Sequence, residues 1–215
     1  MSHATVHYSI ILSLFSYSDA QVRLHSGLSF YISPAPQDPL DGTSNYLHRI
    51  PHFAVSVGLS SPAGMEMGVV LNAFSGECFY AWRNGGAYLD DQPIQVSETK
   101  LISQSILATG FPYKVKDVAP LIRTLGQFMR YGRGIRRLGS AALDLVYVAC
   151  GRFDCYYETT LNSWDVAAGS LIVQEAGGLV SDFKNGSDFL YGGTIIASNN
   201  HIHQEVQQII SKNFI

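Results

Sequence analysis

The stretch at residues 38–45 of the chain reads DPLDGTSN. Its two aspartates, Asp38 and Asp41, lie three residues apart around a proline and directly before a glycine. The proline fixes its own φ angle and the glycine allows a sharp turn without steric cost, so the turn can direct both carboxylates to one point. Hard cations such as Mg²⁺ need oxygen ligands of this kind, and Thr43 adds a hydroxyl beside them. On its own, the stretch favours a simple turn, because Asp-Pro and Asp-Gly are common turn dipeptides.

A second motif, WDVAAG at residues 164–169, runs on into EAGG at residues 175–178. Asn162 or Ser163 can cap the helix predicted here. Asp165 then falls in the first turn, where the helix dipole favours a negative charge. The small residues that follow allow another element to approach closely. On its own, this motif favours an ordinary capped and buried helix.

Together, the two motifs resemble the paired signatures of the inositol monophosphatase family. The resemblance extends from about Gln37 to the C-terminus. Three segments between the motifs are similar to the bacterial branch of that family: PHFAVS at 51–56, ATGFP at 108–112 and RLGSAALD at 137–144.

The resemblance implies an α/β protein with the layered αβαβα sugar-phosphatase fold, incomplete at its N-terminus. The pattern of the sequence also favours the α/β class, because strands lead early and alternate with helices later. We expect residues 38–215 to form the phosphatase domain and residues 1–37 to be an atypical segment. A hairpin is predicted over residues 67–82. Helices are predicted at about 118–131, 140–149, 164–176 and 202–211.

The resemblance also implies roles for individual residues. The metal ligands, binding Mg²⁺, would be the carboxylates of Asp38, Asp41 and Asp165 and the backbone carbonyl of Leu40. Catalysis would fall to Asp41 and to Thr43, which would orient the attacking water. Substrate contacts would come from Gly42, Thr43 and Ser44 at the phosphate, from Gly139, Ser140 and Ala141 at the inositol pocket, and from Glu158 and Asp165 at the ring hydroxyls.

Several of these residues have a structural alternative. Glu158 could be an exposed charge at the end of a strand. Ser140 could simply cap a helix. Asp144 is expected to be structural, because the family pattern gives it no chemistry.

The N-terminal segment departs from the family pattern. Members carry a metal-binding glutamate on a loop ahead of the first motif, yet residues 1–37 contain no Glu, and Asp19 is the only acidic residue before Asp38. Pro34 and Pro36 disfavour the strand that members place there. We expect this departure to come from a truncated or frame-shifted gene model or from a decayed gene. We also expect residues 1–37 to pack irregularly and catalysis to be impaired.

The resemblance therefore implies a Mg²⁺-dependent hydrolase of inositol monophosphates, whose partner is a small phosphorylated substrate. Two alternatives stay open: a related nucleotide or sugar phosphatase, and a non-catalytic interaction protein that keeps the fold. A homodimer is expected by analogy alone.

Composition limits the binding partners and the cellular compartments that the protein can have. The formal net charge of −3 gives no electrostatic footprint for nucleic acid. The apolar stretch at residues 8–15 is too short to span a bilayer, and no Lys or Arg precedes it to form the positive region of a signal peptide. The three cysteines have no metal-like spacing and suit free thiols in a reducing compartment. We expect a cytoplasmic protein without a membrane partner.

Overall fold

A computed structural model describes residues 40–112 and 117–214 of the chain. The predictions for Asp38 and for residues 1–37 lie outside these residues. Among the helices that are described, none is both long enough and apolar enough to cross a membrane.

The first sheet is antiparallel, and its five strands pair in chain order. The predicted hairpin is confirmed, because its two strands pair with Leu71 opposite Cys78. Asn72 begins the turn: its Oδ1 accepts hydrogen bonds from the backbone N–H groups of Phe74 and Ser75, at 3.1 and 3.2 Å. The strands are β1 (Ala54–Ser61), β2 (Gly64–Asn72), β3 (Cys78–Trp82), β4 (Ala87–Leu89) and β5 (Gln92–Ile94).

The second sheet is mixed, with the strand order β7-β6-β8-β10-β9. β6 runs parallel to both of its neighbours, whereas β10 is antiparallel to β8 and β9. The strands are β6 (Ile106–Thr109), β7 (Gly134–Arg136), β8 (Cys155–Thr159), β9 (Leu179–Ser181) and β10 (Thr194–Ser198). The helices are α1 (Thr43–Leu47), α2 (Ala119–Tyr131), α3 (Ala141–Ala149), α4 (Ser163–Glu175) and α5 (His203–Phe214).

Helices α3 and α4 lie between the two sheets and carry the main core. Successive residues of a strand face opposite sides, so Tyr156 of β8 points into this layer while Tyr157 packs on the far side with Phe128 of α2 and Ile210 of α5. The described residues therefore stack as sheet, helices, sheet, helices. This confirms the α/β class and agrees with the last four layers of the predicted αβαβα order; the first layer lies outside the described residues.

Small residues set the close approach of α4 to the first sheet. A Cβ atom added at Gly68 of β2 would lie only 2.7 Å from the carbonyl oxygen of Ala168. A Cβ atom at Gly58 would lie 3.0 Å from the Cβ atom of Ala167. The alanines of the second motif thus serve the close packing that the sequence predicted, and they fix the position of the helix that carries Asp165.

Candidate active site

Asp41 lies at the edge of the first sheet. Its backbone N–H and C=O groups exchange hydrogen bonds with Ala54, both at 2.9 Å. Gly42 follows with a φ angle of 84°, and a Cβ atom there would lie 3.0 Å from the carbonyl oxygen of His52. Glycine is therefore needed at this turn, as the sequence predicted. The turn directs the carboxylate of Asp41, a residue that is 8 % exposed, into the protein.

The Asp41 carboxylate meets the N-terminus of α3. Its Oδ2 atom accepts hydrogen bonds from the Ser140 hydroxyl at 2.5 Å and from the Ala142 backbone N–H at 2.9 Å. The Ser140 Oγ atom also accepts a hydrogen bond from the Leu143 N–H at 3.4 Å, so this serine caps the helix as well. The first motif and the predicted inositol loop, Gly139 to Ala141, are thereby joined through one carboxylate oxygen.

Thr43 and Leu40 contact each other within the first motif. The Thr43 hydroxyl donates to the carbonyl oxygen of Leu40 at 2.9 Å. Ser44 is exposed in α1, beside Thr43.

Asp165 takes the structural role that the sequence suggested. Its Oδ2 atom accepts from the backbone N–H of Asn162 at 2.8 Å, and the Asn162 side chain accepts in return from the backbone of the helix, which makes a complete capping box. The charge of this carboxylate also raises the pKa of Glu158. Asp165 therefore both caps α4 and belongs to the acidic surroundings of Glu158.

Glu158 lies on the same face of β8 as Tyr156, whose hydroxyl donates to its Oε2 atom at 2.6 Å. Burial raises the pKa of Glu158 to about 7, against the lowering effects of Tyr156 and Arg137. Asp41 and Asp165 raise it further. The carboxylate is half-buried, so it is not the exposed charge at a strand end that formed the structural alternative.

Gly110 gives the Glu158 carboxylate its room. A Cβ atom at Gly110 would lie 1.9 Å from the Glu158 Oε2 atom. Gly110 belongs to the ATGFP segment, and nothing in that segment connects it with Glu158. The two residues meet because β6 and β8 are neighbours in the second sheet.

Asp144 is a further carboxyl group at this place. It is 1 % exposed, and its Oδ1 atom has no hydrogen-bond partner in the described part of the chain. Burial raises its pKa well above the usual value, and the nearby Glu158 and Asp41 raise it further. The sequence signal that could have found it is an acidic residue within an otherwise apolar helix.

The donor chemistry of these groups fits Mg²⁺. Asp41, Asp165 and the Leu40 carbonyl offer only oxygen atoms, the ligands that a hard cation prefers. Carboxyl groups crowded in this way repel one another when charged, and a cation relieves that repulsion. The described residues do not contain three or more His, Cys, Asp or Glu side chains arranged to hold a metal ion. Asp38 lies outside them, so the convergence of the three aspartates stays a prediction.

Comparison with known proteins gives consistent matches. A model of the inositol monophosphatase family matches residues 37–213. The chain is 42 % identical over 176 residues to the inositol-1-monophosphatase of Rhizobium meliloti, covering 81 % of this chain and 66 % of that protein. It is 46 % identical over 165 residues to the Nus factor SuhB of Pseudomonas aeruginosa, covering 75 % and 61 %. The chain thus spans less than two thirds of the length of both relatives.

Solved structures agree with this match. The extragenic suppressor protein suhB of Bartonella henselae superimposes with a TM-score of 0.82 at 37 % identity, covering 97 % of this chain and 83 % of that one. The inositol monophosphatase of Anabaena superimposes with a TM-score of 0.76 at 38 % identity, covering 82 % and 74 %.

Proposed function

Because the chain belongs to the inositol monophosphatase family, we propose that it hydrolyses inositol monophosphates to inositol and phosphate with Mg²⁺ as cofactor. The observation that carries the proposal is the Asp41 carboxylate, whose Oδ2 atom binds Ser140 and Ala142. One side chain of the predicted metal motif is held there by the predicted inositol loop. Substrate and cofactor would therefore meet at Asp41.

In this proposal Asp41, Asp165 and the Leu40 carbonyl hold Mg²⁺, together with Asp38. The bound ion would neutralise the phosphate and lower the pKa of a water molecule. The fixed bond between Asp41 and α3 orients this ligand before substrate binds, and such preorganisation is the main contribution of a protein to phosphate hydrolysis.

Thr43 would orient the attacking water. Its hydroxyl has one proton, and that proton is donated to the carbonyl oxygen of Leu40. Towards a water molecule the Thr43 oxygen can therefore act only as an acceptor. Accepting one proton of the water turns a lone pair of that water towards the phosphorus atom.

Glu158 would bind hydroxyl groups of the inositol ring. The Tyr156 hydroxyl fixes the orientation of its carboxylate, and the absence of a Cβ atom at Gly110 lets the carboxylate pack against that residue. An ionised carboxylate accepts strong hydrogen bonds from hydroxyl groups. Gly139, Ser140 and Ala141 would line the same pocket.

A second candidate is a non-catalytic interaction protein that keeps the fold. It is favoured by the relatives that carry the name Nus factor SuhB at 41 to 46 % identity. The missing glutamate in residues 1–37 also favours it and leads us to expect slow turnover. We further propose that residues 38–215 form the phosphatase domain of a cytoplasmic homodimer.

Phosphate release from inositol 1-phosphate, measured with and without Mg²⁺, tests the proposal. We expect slow, Mg²⁺-dependent release that EDTA abolishes. Asp41→Asn should abolish it too, because this proposed Mg²⁺ ligand loses its negative charge. The local structure should be kept, since the amide oxygen can still accept hydrogen bonds from Ser140 and Ala142. Turnover that is equal in the wild type and in Asp41→Asn, or equal with EDTA, would exclude this function. The parallel substrate 2′-AMP separates an inositol phosphatase from a nucleotide phosphatase.

A further inference from the structure

Asn45 connects the first motif to the loop that precedes α3. Its Nδ2 atom donates to the carbonyl oxygen of Leu138, 93 positions away, at 2.8 Å, and to the carbonyl oxygen of His52, also at 2.8 Å. The side chain is 6 % exposed. Both protons of one amide group are therefore used to join three separate segments of the chain.

We propose that Asn45 is a positioning residue for the site, which holds residues 138–142 against the first motif and thereby fixes the Asp41 carboxylate. This inference rests on the proposed function for its Mg²⁺-binding and catalytic consequences only. Its structural basis is the set of hydrogen bonds around Asn45 and Asp41.

Two links join the same pair of segments. Asp41 binds Ser140 and Ala142, while Asn45, four residues further along, binds Leu138, two residues before Ser140. A single link would allow one segment to pivot about the other. Two links at different points fix both the distance and the angle between them.

The second hydrogen bond of the Asn45 side chain, to His52, connects the loop to the first sheet as well. His52 stands just before β1, and Asp41 pairs with Ala54 at the start of that strand. Asn45 therefore ties the loop not only to the motif but also to the edge of the first sheet. Asp41 is held between the same two supports.

Close packing reinforces the link. Gly139 has a φ angle of 88°, and a Cβ atom there would lie 3.2 Å from the Asn45 Nδ2 atom. The backbone of the predicted inositol loop therefore rests directly on the Asn45 amide. Movement of this side chain would be transmitted to the neighbouring Ser140.

The chemistry at this position is specific to asparagine. Two carbonyl oxygens require two N–H donors on one short side chain. Aspartate has the same shape, but its carboxylate oxygens would repel both carbonyls. Alanine would leave both carbonyls unpaired in a buried place, which is costly. Glutamine keeps both donors on a longer side chain and should restore part of the link.

The test compares the full-length wild type with Asn45→Ala, Asn45→Asp and Asn45→Gln. Asn213→Ala is the matched control, because the Asn213 amide also makes several hydrogen bonds, to Thr124, Gln127 and the Ile209 carbonyl, in a different part of the protein. Backbone hydrogen exchange of residues 138–143 is measured without substrate. We expect exchange there to be at least tenfold faster in Asn45→Ala and Asn45→Asp, partly slowed in Asn45→Gln, and unchanged in Asn213→Ala.

The second readout is the concentration of Mg²⁺ that half-saturates the shift in melting temperature. We expect it to rise several-fold in Asn45→Ala and Asn45→Asp and to stay constant in Asn213→Ala, although all of these variants lose some stability. If Asn45→Ala does not fold, Asn45→Gln decides both readouts. Wild-type exchange and wild-type Mg²⁺ dependence in the folded Asn45 variants would overturn the inference.

Activity is the third readout, and it separates this inference from the proposed function. If the wild type turns over, kcat should fall about tenfold or more in Asn45→Ala at saturating substrate, because misplaced catalytic groups lose large factors in rate. If the wild type releases no phosphate, the proposed function fails, and hydrogen exchange and Mg²⁺ binding still decide the role of Asn45.

Discussion

The Ser140 hydroxyl donates a hydrogen bond to the Oδ2 atom of Asp41 across 99 positions of sequence. Through this bond a helix cap and a predicted metal ligand become one unit. If Ser140 served only as a helix cap, replacing it would remove only the capping hydrogen bond. Here the replacement also removes a partner of a buried carboxylate.

Ser140→Ala should therefore lower both stability and Mg²⁺ affinity. We expect the free energy of unfolding to fall by about 2 kcal/mol, from the lost cap and the lost bond to a charged group. Half-saturation by Mg²⁺ should rise several-fold, because the Asp41 carboxylate would lose its hydrogen bond from the Ser140 hydroxyl. Urea unfolding and Mg²⁺ titration measure the two effects. Ser103→Ala, at an exposed serine, is the control, and an unchanged Mg²⁺ titration in Ser140→Ala would contradict the prediction.

Gly110→Ala should displace the Glu158 carboxylate without disturbing the fold. The added Cβ atom meets the end of a side chain, which can move, so the fold should be kept. The Tyr156 hydroxyl loses its bond to Glu158, so we expect the free energy of unfolding to fall by about 1–2 kcal/mol. KM for inositol 1-phosphate should rise about tenfold, while Mg²⁺ dependence stays constant. Gly126→Ala is the matched control, since a Cβ atom there meets nothing within 4 Å and alanine favours the helix. Equal KM values for the two variants would show that Glu158 does not bind the substrate.

Glu158 should make the metal-free protein less stable as pH rises. Its pKa is about 7 in the folded protein, above the ordinary value of 4.5, so between these values the folded state holds a proton that the unfolded state has lost. Stability from this group is complete below pH 4.5, declines from there, and is lost above about pH 7. The full change is on the order of 3 kcal/mol.

Urea unfolding in EDTA at pH 5 and pH 8 measures this change. Glu158→Gln cannot ionise, so its free energy of unfolding should fall less between the two pH values than that of the wild type. The difference between the two proteins isolates Glu158 from Asp144, whose pKa is also raised. Parallel pH profiles for the wild type and Glu158→Gln would be inconsistent with a raised pKa.

A glutamate ahead of the first motif should increase turnover. Residues 1–37 contain none, so one ligand and one group that orients water are expected to be missing. Replacing this segment with the corresponding segment of the Rhizobium meliloti relative should raise kcat about 10²-fold or more. Asp41→Asn in the chimera should abolish the gain. If the unmodified chain is already as fast as the chimera, the glutamate is not needed.

Most of the long elements could be predicted from the sequence. The helix at α4 has a capping residue and a glycine after its end, and the β2–β3 hairpin has clear turn residues, so local chemistry determines both. The three-residue strands β4, β5 and β7 could not be predicted in this way. Such short segments become strands only because neighbouring strands offer them hydrogen bonds, and that information is absent from their own sequence.

Site residues could be predicted where a family motif identifies them, but not where only tertiary packing places them in the site. Asp41 and Glu158 follow from the family resemblance, and the structure brings them near each other. Asp144 and Gly110 lie in segments that resemble the family, but the resemblance gave neither residue a role in the site. They belong to the site because α3 and β6 pass beside Glu158, which is a property of the tertiary structure.

The long reach of the bonds around Asp41 and Asn45 has a consequence for biosynthesis. The first motif leaves the ribosome about 90 residues before the loop at residues 138–142 that holds it. Domains fold as the chain emerges from the ribosome, and contacts between residues that are distant in sequence form late. Until the loop arrives, the Asp41 carboxylate and the Asn45 amide lack these partners. The nascent chain therefore cannot contain a finished site, and the two halves of this region mature together.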